Sequence, residues 1–245
     1  IDRALERYEP DAVINCAAWT DVDGAEDDER GATRVNDTGA GLLAAGAARV
    51  GASVLYPSSD YVFDGQTRKQ PYLENDIPAP VGAYGRTKLG GEVSVAAANP
   101  RHFIVRTSWL YGHGGKNFVE TMLRIGAEQD EVLVVSDQRG CPTACYDLGR
   151  AIAELIETEE HGIHHIVGSG DCTWFDFAQE IFDQAGMDTR VMAGTSQMLA
   201  RRAIRPAYSV LGHSRDYVLE LPPWQDSLRR YLDEREPAVG AGSGR

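Results

Sequence analysis

The sequence predicts an α/β fold, a doubly wound parallel sheet with a smaller lobe packed on it. Three observations lead there. Short apolar runs alternate with longer helical patterns through the first half of the 245 residues, the order that arises when crossover helices cover both faces of a parallel sheet. Breaker residues mark the joins at Pro10-Asp11, Gly51 and Asn99-Pro100. In the second half the alternation weakens and the pieces shorten, which places a separate lobe there.

Taken in order, Ala12-Val-Ile-Asn-Cys-Ala17 reads as a buried strand. Residues Glu29 to Val50 are alanine-rich and helical, and Gly51 ends them. Ser53-Val-Leu-Tyr56 is the next strand, followed by a long polar loop holding several prolines. A helix runs from Ala83 to Ala98. Phe103 to Thr107 is a third strand, Asn117 to Glu128 a helix and Val132 to Val135 a short strand. Beyond these, Cys145 to Glu157 is helical, His164 to Val167 a short strand, and Thr173 a suitable N-cap for another helix. After Met187 the pattern breaks into short pieces around Arg205-Pro-Ala-Tyr208, before an amphipathic helix from Trp224 to Glu234. The expected division is 1–140 for the main domain and 141–236 chiefly for the lobe, with some segments returning to the main domain. The Gly-, Ala- and Ser-rich stretch 237–245 reads as a disordered tail.

Composition excludes several function classes. A formal net charge of -13 opposes binding to a phosphate backbone, which needs a basic face. A nucleotide-sized ligand needs only a local pocket and stays compatible. Only Lys69, Lys88 and Lys116 are lysines, against 21 arginines. The four cysteines, Cys16, Cys141, Cys145 and Cys172, match no zinc or C-x-x-C spacing and read as free thiols of a reducing cytoplasm. No apolar stretch approaches membrane-spanning length and no signal peptide opens the chain, so a cytoplasmic protein without a membrane partner is expected. No metal-ligand set stands out.

The chemistry concentrates at Tyr84-Gly-Arg-Thr-Lys88. A tyrosine four residues before a lysine shares its helical face. A nearby ammonium favours the phenolate and lowers the phenol pKa from about 10, which suits proton donation during carbonyl reduction. Alone, the spacing also describes a surface tyrosine near a solvated lysine. Ligands in doubly wound sheets bind beyond the carboxyl ends of the strands, and three polar clusters fall there. Asn15-Cys-Ala-Ala-Trp-Thr20 offers small residues for close approach of a cofactor, or a plain strand-to-loop turn. Ser58-Ser-Asp60 offers Ser59 for a substrate carbonyl and Asp60 for a sugar hydroxyl. Thr107-Ser-Trp109 carries Trp109 as either a packing residue or a stacking platform.

Together these clusters resemble the extended short-chain dehydrogenase/reductase superfamily, with its Rossmann-like sheet. Within it, S-S-D-Y-V-F-D-G at 58–65, Y-G-R-T-K-L-G-G-E at 84–92, R-T-S-W-L-Y-G at 106–112 and D-Q-R-G-C-P-T at 137–143 resemble the dTDP-4-dehydrorhamnose reductase family, in its order, from about Asp11 to Tyr231. The resemblance implies NADPH-dependent reduction of the C4 keto group of dTDP-4-dehydro-L-rhamnose, for cell-surface polysaccharide. It implies Tyr84 as proton donor, Lys88 as its pKa-lowering partner and holder of the nicotinamide ribose, and Ser59, in place of a frequent threonine, as third catalytic residue. Ala17, Ala18, Trp19, Thr20 and Ser58, with Tyr84 and Lys88, would contact the cofactor. Ser59, Asp60, Trp109, Asn117 and Arg205 would contact the substrate. Arg205 suits a diphosphate because guanidinium binds bidentately, and equally suits a salt bridge.

The resemblance also sets limits. Family members open with a strand, a glycine-rich turn and a helix that hold the cofactor pyrophosphate. No such turn follows a strand here, and roughly forty residues of that βαβ unit are expected to be missing, with its N-terminal strands. The 245 residues alone are therefore expected to bind NADPH weakly. The choice of NADPH over NADH rests on resemblance only, and a divalent-ion requirement is undecided. A dTDP-sugar is the implied partner, with a homodimer compatible and nucleic acid excluded. Two other readings are another nucleotide-sugar ketoreductase or epimerase, and a non-catalytic regulatory subunit resembling that of methionine adenosyltransferase.

Overall fold

The computed structural model describes residues 1–66, 68–199 and 201–235. The predicted disordered tail lies outside the described residues. Helix α1 (Asp2–Tyr8) leads into strand β1 (Ala12–Ile14), then α2 (Val22–Asp27) and α3 (Glu29–Thr33). Asp21 and Asp28 cap these two helices with their carboxylates. α3 continues through a π turn (Arg34–Gly39) into α4 (Ala40–Arg49), so the alanine-rich helix is one rod with a widened turn inside it. Next come β2 (Ser53–Ser59), a single 3-10 turn (Asp60–Val62), α5 (Ala83–Ala98), β3 (His102–Thr107), β4 (Leu110–Tyr111) and α6 (Phe118–Glu128). The chain closes with β5 (Glu131–Val135), β6 (Arg139–Gly140), β7 (Thr143–Ala144), α7 (Cys145–Leu155), β8 (Gly162–His165), β9 (Cys172–Thr173), α8 (Trp174–Ala185), β10 (Arg190–Gly194) and α9 (Trp224–Glu234).

The main sheet has the order β1-β2-β3-β8 and is wholly parallel, as the alternation predicts. Its side chains alternate between two helical layers. Val54 and Tyr56 of β2 pack with Ala40, Ala44 and Ala47 of α4 and Val95 of α5. Leu55, Phe103 and Val105 face Leu148, Ala151, Ile152 and Leu155 of α7 on the other side. The small alanines of α4 let that helix lie close to the sheet.

Several strand ends differ from the sequence reading: β8 lies two residues earlier than His164–Val167, β3 and β5 each start one residue earlier, and β1 and β2 end elsewhere for local reasons. β1 stops at Ile14 rather than Ala17 because the Asn15 side chain accepts the Ala17 amide, a turn that leaves the ladder. β2 runs three residues further, to Ser59, although Pro57 lies within it. The proline forfeits no ladder bond: the β1 register ends at Ile14↔Leu55, and β2 beyond it pairs with β3 alone.

A second core gathers Tyr111, Val119, Met122, Leu123, Phe177, Ile181, Phe182, Trp224, Leu228 and Tyr231, from α6, α8, α9 and their connections. α8 opens with the expected Thr173 cap, completed by Asp176 into a reciprocal capping box. The chain leaves the main sheet at β4, and α6 packs in the second core. β5 joins β10 in a separate parallel pair, outside the main sheet. The irregular stretch expected after Met187 thus contains a five-residue strand, whose pairing partner is about sixty residues away in sequence.

Candidate active site

Helix α5 is pressed onto the sheet through two glycines. A Cβ at Gly91 would lie 2.1 Å from the Asn36 carbonyl and 2.4 Å from Tyr56 Oη, and one at Gly85 would lie 2.1 Å from the Tyr61 carbonyl. Only glycine permits this approach. It carries Tyr84 and Lys88 to the carboxyl end of β2, where Ser58, Ser59 and Asp60 emerge. The α5 N-terminus has no cap from Gly82; the Glu26 carboxylate accepts the Ala83 amide at 2.7 Å instead.

Tyr84 packs edge-on against Tyr61, ring centroids 5.6 Å apart, and is held beside Ala25, Ala32, Ala83 and Trp19. Burial, reinforced by the Asp60 carboxylate, pushes its phenol up to about 12, while Ser59 pulls the other way. Lys88 is buried, and its Nζ donates to the Pro57 carbonyl at 2.7 Å and lies 4.1 Å from the Tyr56 ring centre. That carbonyl is free for it because β1 has already ended. Burial brings the Lys88 ammonium down to about 8, against the opposing field of Glu92. The expected lowering of the Tyr84 pKa by Lys88 is therefore not what this geometry delivers. The ammonium is turned onto Pro57 and Tyr56, and desolvation governs the phenol.

Asp60 is buried, with Oδ1 accepting the Ser59 hydroxyl at 3.0 Å, the Ser209 hydroxyl nearby, and Oδ2 without a hydrogen-bond partner among the described residues. Burial pushes its carboxyl up to about 6. Ser59 Oγ also accepts the Tyr61 amide at 3.2 Å. Ser58 turns inward and donates to Glu92 at 2.5 Å, so its hydroxyl serves the core rather than the open end of the strand.

On the β1 side, Ala17, Ala18 and Thr20 are exposed and Trp19 is half-buried. Asn36, within the π turn, fixes this segment: its side chain accepts the Trp19 amide at 2.8 Å and donates to the Trp19 carbonyl at 3.1 Å and to Thr87 Oγ1 at 3.0 Å. Its carbonyl takes the Tyr56 hydroxyl at 2.7 Å. Asn36 thus ties the small-residue turn to the helix that bears Tyr84 and Lys88. Sequence reasoning missed it, since a lone asparagine in an alanine-rich helix carries no pattern.

The remaining predicted residues come from other parts of the chain. Trp109 stacks on Trp174, centroids 3.6 Å apart and planes 8° from parallel, with Gly140 against its ring. Its backbone is left-handed, at φ 48°. Asn117 caps α6, accepting the Glu120 amide and donating to the Gly112 and Gly115 carbonyls. Arg205 pairs bidentately with Asp23 at 2.8 and 3.2 Å and borders a cleft of about 450 Å³ that also takes Gln138, Ser196 and Arg201. Arg201, which sequence reasoning passed over, places a second guanidinium there, and burial beside Arg205 lowers its pKa.

A nicotinamide cofactor fits the residues present. Exposed alanines give close approach, a buried ammonium can take ribose hydroxyls, and the unpartnered Asp60 oxygen lies beside the phenol and serine. Among the described residues no three His, Cys, Asp or Glu side chains converge as a cation site, and no helix is long and apolar enough to cross a membrane.

Fold and site together are those of a Rossmann-type oxidoreductase. The family described as RmlD substrate binding domain matches residues 1–236, and the chain belongs to it. It is 43% identical over 249 residues to a dTDP-4-dehydrorhamnose reductase of Streptomyces griseus, covering 99% of this chain and 81% of that protein. It is 44% identical over 234 residues to a probable dTDP-4,6-dihydroxy-2-methyloxan-3-one 4-ketoreductase of Streptomyces antibioticus, covering 92% and 78%. A crystal structure of dTDP-4-dehydrorhamnose reductase from Bacillus anthracis in complex with NADP superposes with a TM-score of 0.93 at 40% identity, covering 96% of this chain and 84% of that one.

Proposed function

We infer that this chain reduces the C4 keto group of dTDP-4-dehydro-L-rhamnose with NADPH, giving dTDP-L-rhamnose. The observation that carries the reading is the gathering of Ser59, Tyr84 and Lys88 at the carboxyl end of β2, in a chain of this family. When bound, NADPH supplies a hydride to the sugar carbon. Ala17, Ala18, Trp19 and Thr20 would line its approach and Lys88 would hold its ribose.

The chain's own residues manage the proton. Ser59 donates a hydrogen bond to the carbonyl oxygen and orients it toward Tyr84. A phenol held near 12 keeps its proton at neutral pH and gives it up only as the oxygen gains charge, which leaves an alcohol on the sugar and a phenolate on the enzyme. Solvent then reprotonates the phenolate. Asp60 accepts from a sugar hydroxyl. Arg205 and Arg201 offer the diphosphate two guanidinium groups at the cleft. Trp109 and Asn117 border the sugar from the second core, which we read as the substrate lobe, with Ser58 supporting the cofactor side from below.

The Streptomyces antibioticus relative supports a second reading, in which the substrate is another dTDP-4-keto sugar. Incubation with NADPH and each of several dTDP-4-keto sugars, with the product configuration read by NMR, separates the two. Oxidation of NADPH with dTDP-4-dehydro-L-rhamnose and formation of the L-rhamno product is the expected result. Isomerisation without net NADPH consumption would sink both. A cytoplasmic location and a homodimer are further parts of the proposal, checked by fractionation and by mass in solution.

A further inference from the structure

Tyr84, Lys88 and Glu92 follow at four-residue intervals and share the sheet-facing side of α5. The first two belong to the site; Glu92 has no part in it so far. Its carboxylate is buried and fully engaged. Oε1 accepts the Ser58 hydroxyl at 2.5 Å and Arg106 Nε at 2.9 Å, and Oε2 accepts Arg106 Nη2 at 2.7 Å. Arg106, on β3, is among the largest fully buried side chains of the protein. Behind it lie the Glu74 carbonyl at 3.4 Å, His165 Nε2 at 3.5 Å and the Phe63 ring. Glu74 in turn takes Ser214 and His213. Buried charges thus alternate from Lys88 to Glu92 and Arg106, with the Glu74 carboxylate and the His213 ring beyond them.

A buried ion pair is a poor source of stability, since desolvation offsets most of its attraction. Its position one helical turn below Lys88 gives it another use. Among the described residues no carboxylate is in hydrogen-bonding contact with Lys88: its ammonium rests on a carbonyl and a ring face. We propose that Glu92, locked in place by Arg106 and Ser58, is a positioning residue that keeps the buried Lys88 charged, acting through its field and not through a direct bond. The inference rests on reading Lys88 as the cation of the site. The titratable and charged groups facing this spot are Tyr84 and Glu92 on α5, Tyr56 on β2, Arg106 on β3 and Asp37 on the π turn, with Asp60 beyond Tyr84. Of these, Glu92 is the one whose charge favours the ammonium most directly.

The test uses the scarcity of lysine. In protein labelled at the lysine side-chain nitrogen, three signals report Lys69, Lys88 and Lys116, of which Lys88 alone is buried; Lys88→Arg assigns it. Glu92→Gln keeps the shape and the Ser58 bond but removes the charge, and is expected to lower the Lys88 titration midpoint by about one pH unit, a tenfold loss of proton affinity. Glu92→Gln/Arg106→Gln keeps an amide-to-amide bond without charges, folds more readily, and is expected to lower the midpoint by less. A wild-type midpoint in either folded variant overturns the proposal. No substrate or cofactor enters this measurement, so it stands apart from the reductase reading. If that reading also holds, the alkaline limb of the turnover–pH profile moves down with the NMR midpoint. A moved midpoint in an enzyme without reductase activity would refute the reading and leave the inference intact.

Discussion

The regions around α5 and around α8 are buried by opposite means. Beneath α5 lie Ser58, Ser59, Asp60, Thr87, Lys88, Glu92 and Arg106, all nearly inaccessible to water. Around α8 lie rings: Phe177 packs against Tyr111, Phe118, Trp174 and Trp224, with no charge among them. Burying polar groups is favourable only when each finds a partner, and a group left without one costs free energy. The α5 region accepts that cost at Asp60 Oδ2, beside the phenol and serine to which we assign the chemistry. Among the described residues the aromatic core carries the same cost at one atom only, the Tyr111 hydroxyl, and otherwise packs ring against ring. Chemistry and stability are thus assigned to different cores.

The widest test of this contrast is Tyr84→Phe. Turnover is expected to fall by roughly 10²- to 10⁴-fold, with the urea midpoint unchanged; a parallel loss of stability would mean that the α5 region is structural after all. Phe177→Ala is the mirror experiment. It is expected to lower the unfolding free energy by about 3–5 kcal/mol while leaving the Lys88 titration as it was, and a shifted titration would show the two cores to be coupled.

Asp60→Asn sharpens the comparison through pH. An acid whose pKa rises from 3.8 unfolded to about 6 folded binds its proton more tightly in the native state. Its contribution to stability is therefore fully present below pH 3.8 and lost as pH rises through 6, a loss on the order of 3 kcal/mol. Glu74, held well below the usual carboxylate range, runs the opposite way and is common to both proteins. The Asp60→Asn variant is expected to match or exceed the parent in unfolding free energy at about pH 7, and to lose turnover. Equal pH dependence in the two would show that Asp60 is not the group responsible. The smallest effect belongs to neither core: Arg124→Ala, which breaks an exposed i,i+4 pair with Glu128, should change stability by no more than about 0.5 kcal/mol in thermal unfolding.

What was legible in the sequence follows from range. β2, α5 and β3 announce themselves by period and by breakers, and Tyr84 and Lys88 by a spacing that one helical turn dictates. Glu92 was within the same reach, at the next four-residue step. Arg106 was not, because nothing local says that an arginine inside an apolar strand meets a glutamate from α5. Nor was the β5–β10 pair, whose strands find each other across α7, β8 and α8. Trp109 shows the converse. The sequence left it open between platform and packing, and its stacking on Trp174 is decided by a residue sixty-five positions later. The pull of Lys88 on Tyr84 was argued from spacing alone, and spacing does not say which way an ammonium points.

The π turn between α3 and α4 has a consequence for how this chain can change length. Relative to a regular α-helix it holds one surplus residue. Deleting one residue between Arg34 and Gly39 would let the rod close into an unbroken α-helix, with better backbone bonding than the parent. The flanking helices would keep their faces, because the widened turn already takes up the extra residue. Asn36 lies inside the widened turn, and closing that turn would move its side chain and carbonyl off Trp19, Thr87 and Tyr56. A shorter chain with a more regular helix would then be the less competent one.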